Sequence, residues 1–380
     1  MNPKIRVLVV DDSALMRKLI PQALSQDSGI EVVGTAMDGL IGLKKIEELH
    51  PQVVTLDLEM PRMDGMEMLR EITRKHHVPV IAFSAHTEQG ANVTLKALSL
   101  GAFDFVRKPQ DAALGHIEQI ASELALKIRA AATAGAPKLI ITEPAAGKRN
   151  SRNLGTNRFF SRVVGIGVST GGPNALQYLF SQLPEDFPGT LIVVQHMPEG
   201  FTEMFARRLD ESSAIEVKEA RSGDLLLPGR ALICPGNRHI KIRRMEHGDV
   251  ALLVDQPRIN GHRPSVDVLF ESIASEFRGM GVAVLMTGMG DDGAVGLGAV
   301  RSAGGFTIAQ SLDTCVVESM PRAAIDRGFA MRVVPLQNIT STLQTICATE
   351  PQTALKAAAT TAETIQRMDA EAATARRRTL

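Results

Sequence analysis

The sequence predicts an α/β protein with two domains, each built on a parallel sheet. The chain has 380 residues, enough for two or three separate hydrophobic cores. Short β-branched runs alternate with helical patterns in two separate series, and a stretch rich in small, polar and helix-breaking residues separates them. We therefore expect a first domain over residues 1–125, a linker over 126–160, a second domain over 161–348 and a disordered tail over 349–380.

The first domain is predicted to contain five strand–helix units. Its strands are expected at Arg6–Val10, Glu31–Ala36, Val53–Leu56, Val80–Ser84 and Asp104–Arg107. Helical patterns lie near residues 14–26, 38–49, 64–75, 90–100 and 111–130. Five such units in succession favour a five-stranded parallel sheet with helices on both faces.

The second domain repeats the alternation. Its strands are expected at Arg162–Val168, Leu191–His196, Val282–Thr287, Phe306–Gln310 and Met331–Pro335. Helical patterns lie near residues 173–182, 201–211, 265–278, 293–303 and 319–327. Between residues 214 and 262, short runs are separated by Pro-Gly and His-Gly turns, at Ala231–Cys234, His239–Arg243 and Val250–Val254. They predict β-hairpins inserted into a doubly wound sheet.

Composition and charge exclude several classes of protein. The formal net charge is zero, and the chain has no Trp and one Tyr, which argues against nucleic-acid binding. No apolar run reaches the ~18 residues of a membrane-spanning helix, and the N-terminus does not resemble a signal peptide. The three cysteines, at positions 234, 315 and 347, are far apart, so we expect neither a disulfide scaffold nor a zinc site and predict a reducing cytoplasm.

The linker holds seven Lys or Arg and a single acidic residue, Glu143. A solvated, exposed segment is the reading we favour, and a basic site for a partner is the alternative.

Charged and polar side chains follow several strands of the first predicted sheet. Asp11 and Asp12 end the first strand, Asp57 follows the third, Ser84 ends the fourth and Lys108 follows the fifth. We expect these residues to meet at one edge of the sheet. Carboxylates are ligands for Mg²⁺, and the cation suppresses the repulsion between a carboxylate and a phosphoryl group. The set predicts a phosphoryl-acceptor site; the alternative is a group of acidic loops that simply face water.

This constellation resembles the receiver domain of two-component response regulators, which implies a flavodoxin-like fold over about residues 3–125. The resemblance implies Asp57 as the phosphoryl acceptor and a magnesium site at Asp11, Asp12 and Asp57. It assigns switch and phosphate-contact roles to Ser84 and Lys108, and Phe105 matches the aromatic switch position.

A second set of residues predicts nucleophilic catalysis. Ser169 stands in Gly167-Val168-Ser169-Thr170-Gly171, between a strand and a helix, where glycines permit a tight turn that exposes the hydroxyl. His196 ends the next strand and can act as its base, and Asp292 follows a later strand and can orient the imidazole. The backbone N–H groups of Thr170 and Met289 are candidates for an oxyanion hole.

Other interpretations of the serine region stay open from the residues alone. The glycines can be purely structural, and a histidine at a strand end is more often a core or surface residue. The same segment could indicate dinucleotide binding, but the third glycine of that fingerprint is missing at the required spacing. The chain order Ser, His, Asp differs from that of α/β-hydrolases.

The second domain resembles the catalytic domain of the chemotaxis receptor methylesterase family. The matching motifs are Gly165-Ile166-Gly167-Val168-Ser169-Thr170-Gly171-Gly172-Pro173, Gln195-His196-Met197-Pro198, Pro235-Gly236-Asn237-Arg238-His239 and Leu285-Met286-Thr287-Gly288-Met289-Gly290-Asp291-Asp292-Gly293-Ala294. The resemblance implies Ser169, His196 and Asp292 as a triad, with the adjacent Asp291 as the alternative acid. It also implies hydrolysis of glutamyl γ-methyl esters with release of methanol and, in many members, deamidation of glutamines.

The resemblance further implies partners and regulation. Methyl-accepting chemoreceptors are the expected substrates and a chemotaxis histidine kinase the expected phosphodonor. Mg²⁺ is expected in the receiver and no metal in the esterase chemistry. We expect a cytoplasmic monomer with no nucleic-acid partner and no direct membrane insertion, and a receiver that restrains the esterase until it is phosphorylated. A non-enzymatic output module and a transcriptional regulator are the alternatives, the second without a helix-turn-helix pattern.

Overall fold

The computed structural model describes residues 3–61, 63–85, 87–108, 114–136 and 162–349. Within them lie two parallel sheets and a separate two-stranded ribbon. None of the described helices is long and apolar enough to cross a membrane. Residues 350–380 of the predicted tail and residues 137–160 of the predicted linker lie outside the described residues.

The first domain has a five-stranded parallel sheet in the order β2-β1-β3-β4-β5, as predicted. Its strands are β1 (Ile5–Val10), β2 (Ile30–Ala36), β3 (Val53–Asp57), β4 (Val80–Ser84) and β5 (Asp104–Arg107). Its helices are α1 (Ala14–Leu24), α2 (Gly39–Leu49), α3 (Gly65–Glu71, continued by a π turn), α4 (Glu88–Ser99) and α5 (Leu114–Ala134). This strand order changes direction between β1 and β3, so a crevice opens beyond the ends of these two strands.

Polar side chains start the helices of this domain. Ser13, Asp38, Asp64 and Thr87 each accept a hydrogen bond from a backbone N–H in the first turn of α1, α2, α3 and α4, respectively. Such caps satisfy N–H groups that have no partner within the helix. They fix where each loop at the strand ends becomes a helix.

Helix α5 runs past residue 125, the predicted end of the first domain, and continues to Ala134. Leu124, Ile128 and Ala131 are buried against the sheet and carry the apolar stripe onward. The run of alanines that resembled a linker is strongly helix-forming. Gly135, with φ of 75°, ends the helix and donates its N–H to the carbonyl of Ala131.

The second domain has a seven-stranded sheet in the order β14-β13-β12-β6-β7-β9-β8, and all its neighbouring strands are parallel. Its strands are β6 (Arg162–Val168), β7 (Gly189–Gln195), β8 (Glu216–Glu219), β9 (Arg230–Ile233), β12 (Gly281–Leu285), β13 (Phe306–Gln310) and β14 (Arg332–Val334), and β10 (His239–Arg243) and β11 (Val250–Val254) form the ribbon. Its helices are α6 (Gly172–Ser181), α7 (Thr202–Glu211), α8 (Val266–Phe277), α9 (Ala294–Ser302), α10 (Ser319–Asp326) and α11 (Leu336–Ala348). The chain moves from β6 to β7 on one side and later to β12 on the other side of β6. The crevice of this sheet therefore opens beyond the carboxyl end of β6.

Three elements of the second domain differ from the sequence-based expectation: β9, β8 and α11. The run at Ala231–Cys234, expected in a hairpin, lies in β9 as a parallel strand of the main sheet, and only β10 and β11 form a hairpin. The reason is burial: Ala231, Leu232 and Ile233 are fully buried, as in strands covered on both faces. The sequence analysis also did not predict β8, a short four-residue strand parallel to β9, or α11, whose apolar stripe is diluted by Thr, Ser and Gln.

Candidate functional site

The acidic residues of the first domain meet at the ends of β1 and β3. One carboxylate oxygen from each of Asp11, Asp12 and Asp57 lies within 4.8 Å of the others. Asp11 and Asp57 are buried, and Asp12 is exposed. The topology of the sheet therefore brings together three carboxylates that are up to 46 positions apart in the chain (57 − 11).

Lys108 lies against two of these carboxylates. Its Nζ is 2.5 Å from Asp57 Oδ2 and 3.7 Å from Asp11 Oδ2. Burial raises the pKa of Asp57 to about 6, and the nearby charge of Asp11 adds to the rise, although Lys108 acts to lower it. Burial raises the pKa of Asp11 as well. One ammonium group therefore does not fully compensate for the buried acidic charge.

The same residues fit a divalent cation. Asp11 Oδ2 is buried and has no hydrogen-bond partner among the described residues. Mg²⁺ prefers oxygen ligands and is usually held by one or two carboxylates together with waters. Asp11, Asp12 and Asp57 supply such a donor set, with one side open at the exposed Asp12.

The two predicted switch residues lie on the neighbouring strands. Ser84 is buried at the end of β4, and its hydroxyl accepts a hydrogen bond of 2.5 Å from Thr94 Oγ1 of α4. Phe105 of β5 is 5% exposed and stacks on Phe201 of the second domain, with 5.0 Å between ring centroids. The side chains assigned to the switch thus contact α4 and the second domain directly.

Ser169 lies just beyond the end of β6 in a tight turn. Gly171 has φ of 78°, a conformation that favours glycine, and helix α6 begins at the next residue. A Cβ atom on Gly288 would lie 2.7 Å from Ser169 Cβ, so this glycine allows the loop after β12 to approach the serine. Gln195 supports the same turn, because its Nε2 donates hydrogen bonds to the carbonyls of Ser169 and His196.

His196 and Asp292 form a hydrogen-bonded pair at this edge of the sheet. His196 follows β7, Asp292 follows β12, and the distance from Nε2 to Oδ2 is 2.8 Å. Asp292 also accepts hydrogen bonds from Ser265 Oγ and the backbone N–H of Val266, at the N-terminus of α8. Burial acts to raise the pKa of Asp292, but His196 and these donors lower it to about 2. The carboxylate is therefore ionised and firmly oriented.

The hydrogen bond to Asp292 determines which nitrogen of His196 is basic. A neutral imidazole that donates Nε2–H carries its lone pair on Nδ1. Nδ1 is buried and has no hydrogen-bond partner in the described part of the chain. Nδ1 is thus the atom of His196 that can accept a proton.

The neighbouring Asp291 is placed differently. It is exposed, and its Oδ2 accepts a hydrogen bond of 2.8 Å from Arg327 Nη2. Of the two acids that the sequence left open, the structure places Asp292 against the imidazole.

The two candidate oxyanion donors are next to residues of this site in the chain: Thr170 follows Ser169, and Met289 follows Gly288, which approaches Ser169. Among the described residues, the backbone N–H groups of Thr170 and Met289 are not hydrogen-bonded to another group. The N–H of Ser169 donates to the carbonyl of Thr287, and that of Gly288 donates to Val317. Thr170 and Met289 therefore keep backbone donors that can bind an anionic oxygen.

Sequence reasoning missed His262 and Asn260, which contact the same pair. The His262 ring stacks on that of His196, with centroids 3.8 Å apart and an angle of 5° between the planes. Asn260 Nδ2 lies 3.4 Å from Asp292 Oδ1. The Asn260-Gly261 dipeptide is typical of a tight turn and was the available signal, but it gave no indication of what the turn faces.

The first domain packs against this edge of the second domain. Thr170 Oγ1 donates a hydrogen bond of 2.7 Å to Asp104 Oδ2 of β5. Asn174 of α6 donates to the carbonyl of Leu98 at 2.8 Å. Arg208 of α7 donates to Ser99 Oγ at 2.8 Å. The residue after the serine is thus held directly by the first domain.

Fold and sites together define a class: a phosphoryl-accepting receiver joined to a serine hydrolase domain. Family models support this, with "Response regulator receiver domain" matching residues 7–117 and "CheB methylesterase" matching residues 164–343. The chain belongs to the CheB methylesterase family and carries an N-terminal response regulator receiver domain.

Individual relatives are similar over most of their length. The protein-glutamate methylesterase/protein-glutamine glutaminase 2 of Koribacter versatilis is 59% identical over 345 residues, covering 89% of this chain and 95% of that protein. The protein-glutamate methylesterase/protein-glutamine glutaminase of Symbiobacterium thermophilum is 47% identical, covering 88% of this chain and 95% of that protein. The crystal structure of the Thermotoga maritima CheB methylesterase catalytic domain is 39% identical and covers 50% of this chain and 100% of that chain, with a TM-score of 0.49.

Proposed function

We propose that this protein is a phosphorylation-activated hydrolase that removes methyl groups from glutamyl γ-methyl esters of chemoreceptors and deamidates receptor glutamines. The Koribacter versatilis and Symbiobacterium thermophilum relatives carry both activities in their names. The observation that carries the proposal is the His196–Asp292 hydrogen bond of 2.8 Å beside the Ser169 turn. Cys234, Cys315 and Cys347 are all free, which favours a reducing cytoplasm as its location.

The first half of the reaction forms an acyl-enzyme. Ser169 Oγ attacks the carbonyl carbon of the ester while Nδ1 of His196 takes the hydroxyl proton. The backbone N–H groups of Thr170 and Met289 bind the oxyanion of the tetrahedral intermediate. The imidazolium then returns its proton to the departing methoxy oxygen. Methanol leaves, and Ser169 carries the glutamyl group; with a glutamine side chain, the leaving group is ammonia.

The second half releases the product. Nδ1 of His196 takes a proton from water, the resulting hydroxide attacks the acyl carbon, and the oxyanion again lies between Thr170 and Met289. The imidazolium returns the proton to Ser169 Oγ as the intermediate collapses to glutamate. Throughout, Asp292 keeps the proton of the neutral ring on Nε2 and stabilises each imidazolium.

Methanol release from a methylated receptor tests this assignment. Ser169→Ala is expected to abolish release while phosphorylation of the first domain persists. His196→Ala added to Ser169→Ala is expected to cost little more, because members of a catalytic triad act as one unit. Full hydrolysis by Ser169→Ala would remove the serine from the mechanism.

The receiver is proposed to take its phosphoryl group on Asp57 from a chemotaxis histidine kinase. An Asp57 oxygen attacks the phosphorus of the kinase's phosphohistidine, the P–N bond breaks and the kinase histidine leaves. Lys108, whose Nζ is 2.5 Å from that carboxylate, then binds a phosphoryl oxygen. Mg²⁺ held by Asp11, Asp12 and Asp57 would neutralise negative charge. Asp57→Asn should take up no phosphoryl group from a small phosphodonor with Mg²⁺; stoichiometric acid-stable label on this variant would identify another acceptor.

Control of the esterase by the receiver follows from their contact. Asp104 holds Thr170, and Phe105, at the switch position, stacks on Phe201. We propose that this packed form has low activity and that phosphorylation shifts the balance toward a form that admits the receptor. Each tenfold activation needs a shift of about 1.4 kcal/mol, which a new phosphate network can supply.

A further inference from the structure

His262 faces the base of the proposed triad but belongs to none of the motifs that identified it. Its ring lies 3.8 Å from that of His196 and is tilted by 5°, so the two imidazoles overlap face to face. The opposite partner of His196, Asp292, contacts the ring edge at Nε2. His262 therefore covers one face of the His196 ring, and the hydrogen bond to Asp292 fixes the orientation of the ring within its own plane.

A tight turn holds His262 in this position. Ile259 and His262 exchange two backbone hydrogen bonds, of 3.0 and 2.8 Å. Between them, Asn260 and Gly261 have φ of 52° and 78°, the geometry of a type I′ turn. Asn260 Nδ2 is anchored on Asp267 at 2.8 Å and lies 3.4 Å from Asp292. The stacked ring and the orienting carboxylate are thus tied to one loop.

His262 is neutral at ordinary pH. Burial lowers its pKa to about 4; the charge of Arg258, and that of His196 when it is protonated, act in the same direction. The charges of Asp292 and Asp291 oppose this and do not outweigh it. When His196 takes up a proton, it therefore meets the face of an uncharged aromatic ring.

We propose that His262 is a positioning residue whose neutral ring holds the His196 imidazole in place and stabilises the imidazolium that forms when Nδ1 accepts a proton. This inference rests on the hydrolysis proposed above. A cation is attracted to the face of an uncharged aromatic ring. The proposed mechanism forms the imidazolium during proton transfer from Ser169, so the stabilisation acts on kcat and leaves KM nearly unchanged.

Three variants of the full-length protein separate the roles of ring and charge. His262→Ala removes the ring, His262→Phe keeps an uncharged ring and His262→Lys places a cation beside His196. We expect kcat for methanol release to fall about tenfold in His262→Ala. The kcat of His262→Phe should stay within about threefold of the wild-type value. The kcat of His262→Lys should be lower than that of His262→Ala. The exposed His247 provides the matched control, because His247→Ala should change nothing.

A spectroscopic measurement tests the positioning without relying on turnover. Nitrogen-15 shifts of His196 report which ring nitrogen carries the proton. The Nε2–H tautomer should dominate in wild type and His262→Phe. In His262→Ala the uncovered imidazole can turn and offer Nδ1–H to Asp292 instead, so the two tautomers should be mixed. A His262→Ala enzyme with wild-type kcat and an unchanged tautomer would overturn the proposal, as would His262→Phe as slow as His262→Ala. If the wild-type protein released no methanol but the tautomers behaved as expected, the proposed function would be refuted and the positioning role of His262 would stand.

Discussion

His196 is hydrogen-bonded through Nε2, and its Nδ1 has no hydrogen-bond partner among the described residues. Because Asp292 occupies Nε2 at 2.8 Å, the basic atom is Nδ1, the reverse of the arrangement in which Nε2 takes the proton of serine. The N-terminus of α8 also donates hydrogen bonds to Asp292, so the carboxylate is oriented by two neighbouring elements. At the scale of single residues, the site depends on the choice of tautomer.

Asp292→Asn is expected to lower kcat by roughly 10³–10⁴ with little change in KM, because an amide in this place can stabilise the wrong tautomer. The neighbouring Asp291→Asn is the matched control and should retain nearly full activity, since its carboxylate contacts Arg327. Steady-state methanol release measures both. A large loss in Asp291→Asn with an active Asp292→Asn would reverse the assignment of the acid.

The buried His262 also predicts how stability changes with pH. Its pKa is lowered from 6.5 to about 4 in the fold, so the unfolded chain binds the proton first as the pH falls. Between these values the unfolded state holds more protons, and stability declines on acidification. His262→Phe should therefore lose less free energy of unfolding than wild type between pH 7 and pH 5, measured by urea titration. Equal losses in the two proteins would contradict the lowered pKa.

At the scale of elements, α4 and β5 of the receiver contact α6, α7 and the serine turn. Their polar contacts include Asn174 to Leu98, Arg208 to Ser99 and Thr170 to Asp104, and their apolar contacts include the Phe105–Phe201 stack. The contacts of Asn174 and Arg208 join helices and do not involve the residues that are assigned to the chemistry. They can be removed without touching the proposed triad.

Asn174→Ala together with Arg208→Ala is expected to raise the activity of the unphosphorylated protein by up to about thirtyfold. Each lost hydrogen bond weakens the packed form by about 1 kcal/mol. Activity with a phosphodonor should change little, because that form no longer uses these contacts. Arg207→Ala, on the neighbouring exposed residue of α7, is the control. An unchanged basal rate in the double variant would show that these contacts do not restrain the enzyme.

At the scale of the whole molecule, the two domains share a continuous apolar contact. One hydrophobic cluster contains buried residues of both, including Leu98 and Phe105 of the receiver and Leu176 and Phe201 of the second domain. Each domain nevertheless has its own sheet and its own further core cluster. This organisation suits a reversible association of two stable bodies.

Removal of residues 1–134, a cut that falls after helix α5, should raise basal hydrolysis by about tenfold or more and abolish the effect of the phosphodonor. Full-length Asp57→Asn should stay at the basal rate under both conditions. The rates are compared on the same methylated receptor. If the isolated second domain is no faster than the unphosphorylated full-length protein, simple occlusion is wrong and the receiver must contribute positively.

The sequence by itself determined both parallel sheets and most of their strands to within one or two residues. Local runs of β-branched residues between helical patterns carry this information, since strand and helix periodicities differ. The sequence also indicated that Asp57, Lys108, Ser169, His196 and Asp292 follow strands. Parallel strands end at a common edge, so position along the chain was sufficient to predict which residues would meet.

Tertiary structure decided what depends on contacts between distant segments. Burial on both faces placed Ala231–Ile233 in the main sheet, and packing against the receiver sheet extended α5 to Ala134. The nitrogen of His196 that faces Asp292, the ring of His262 stacked on it and the contact of Asp104 with Thr170 follow from three-dimensional packing. Each of these three contacts joins residues at least 66 positions apart in the chain (170 − 104). No local sequence pattern encodes them, because the assembled sheets bring the residues together.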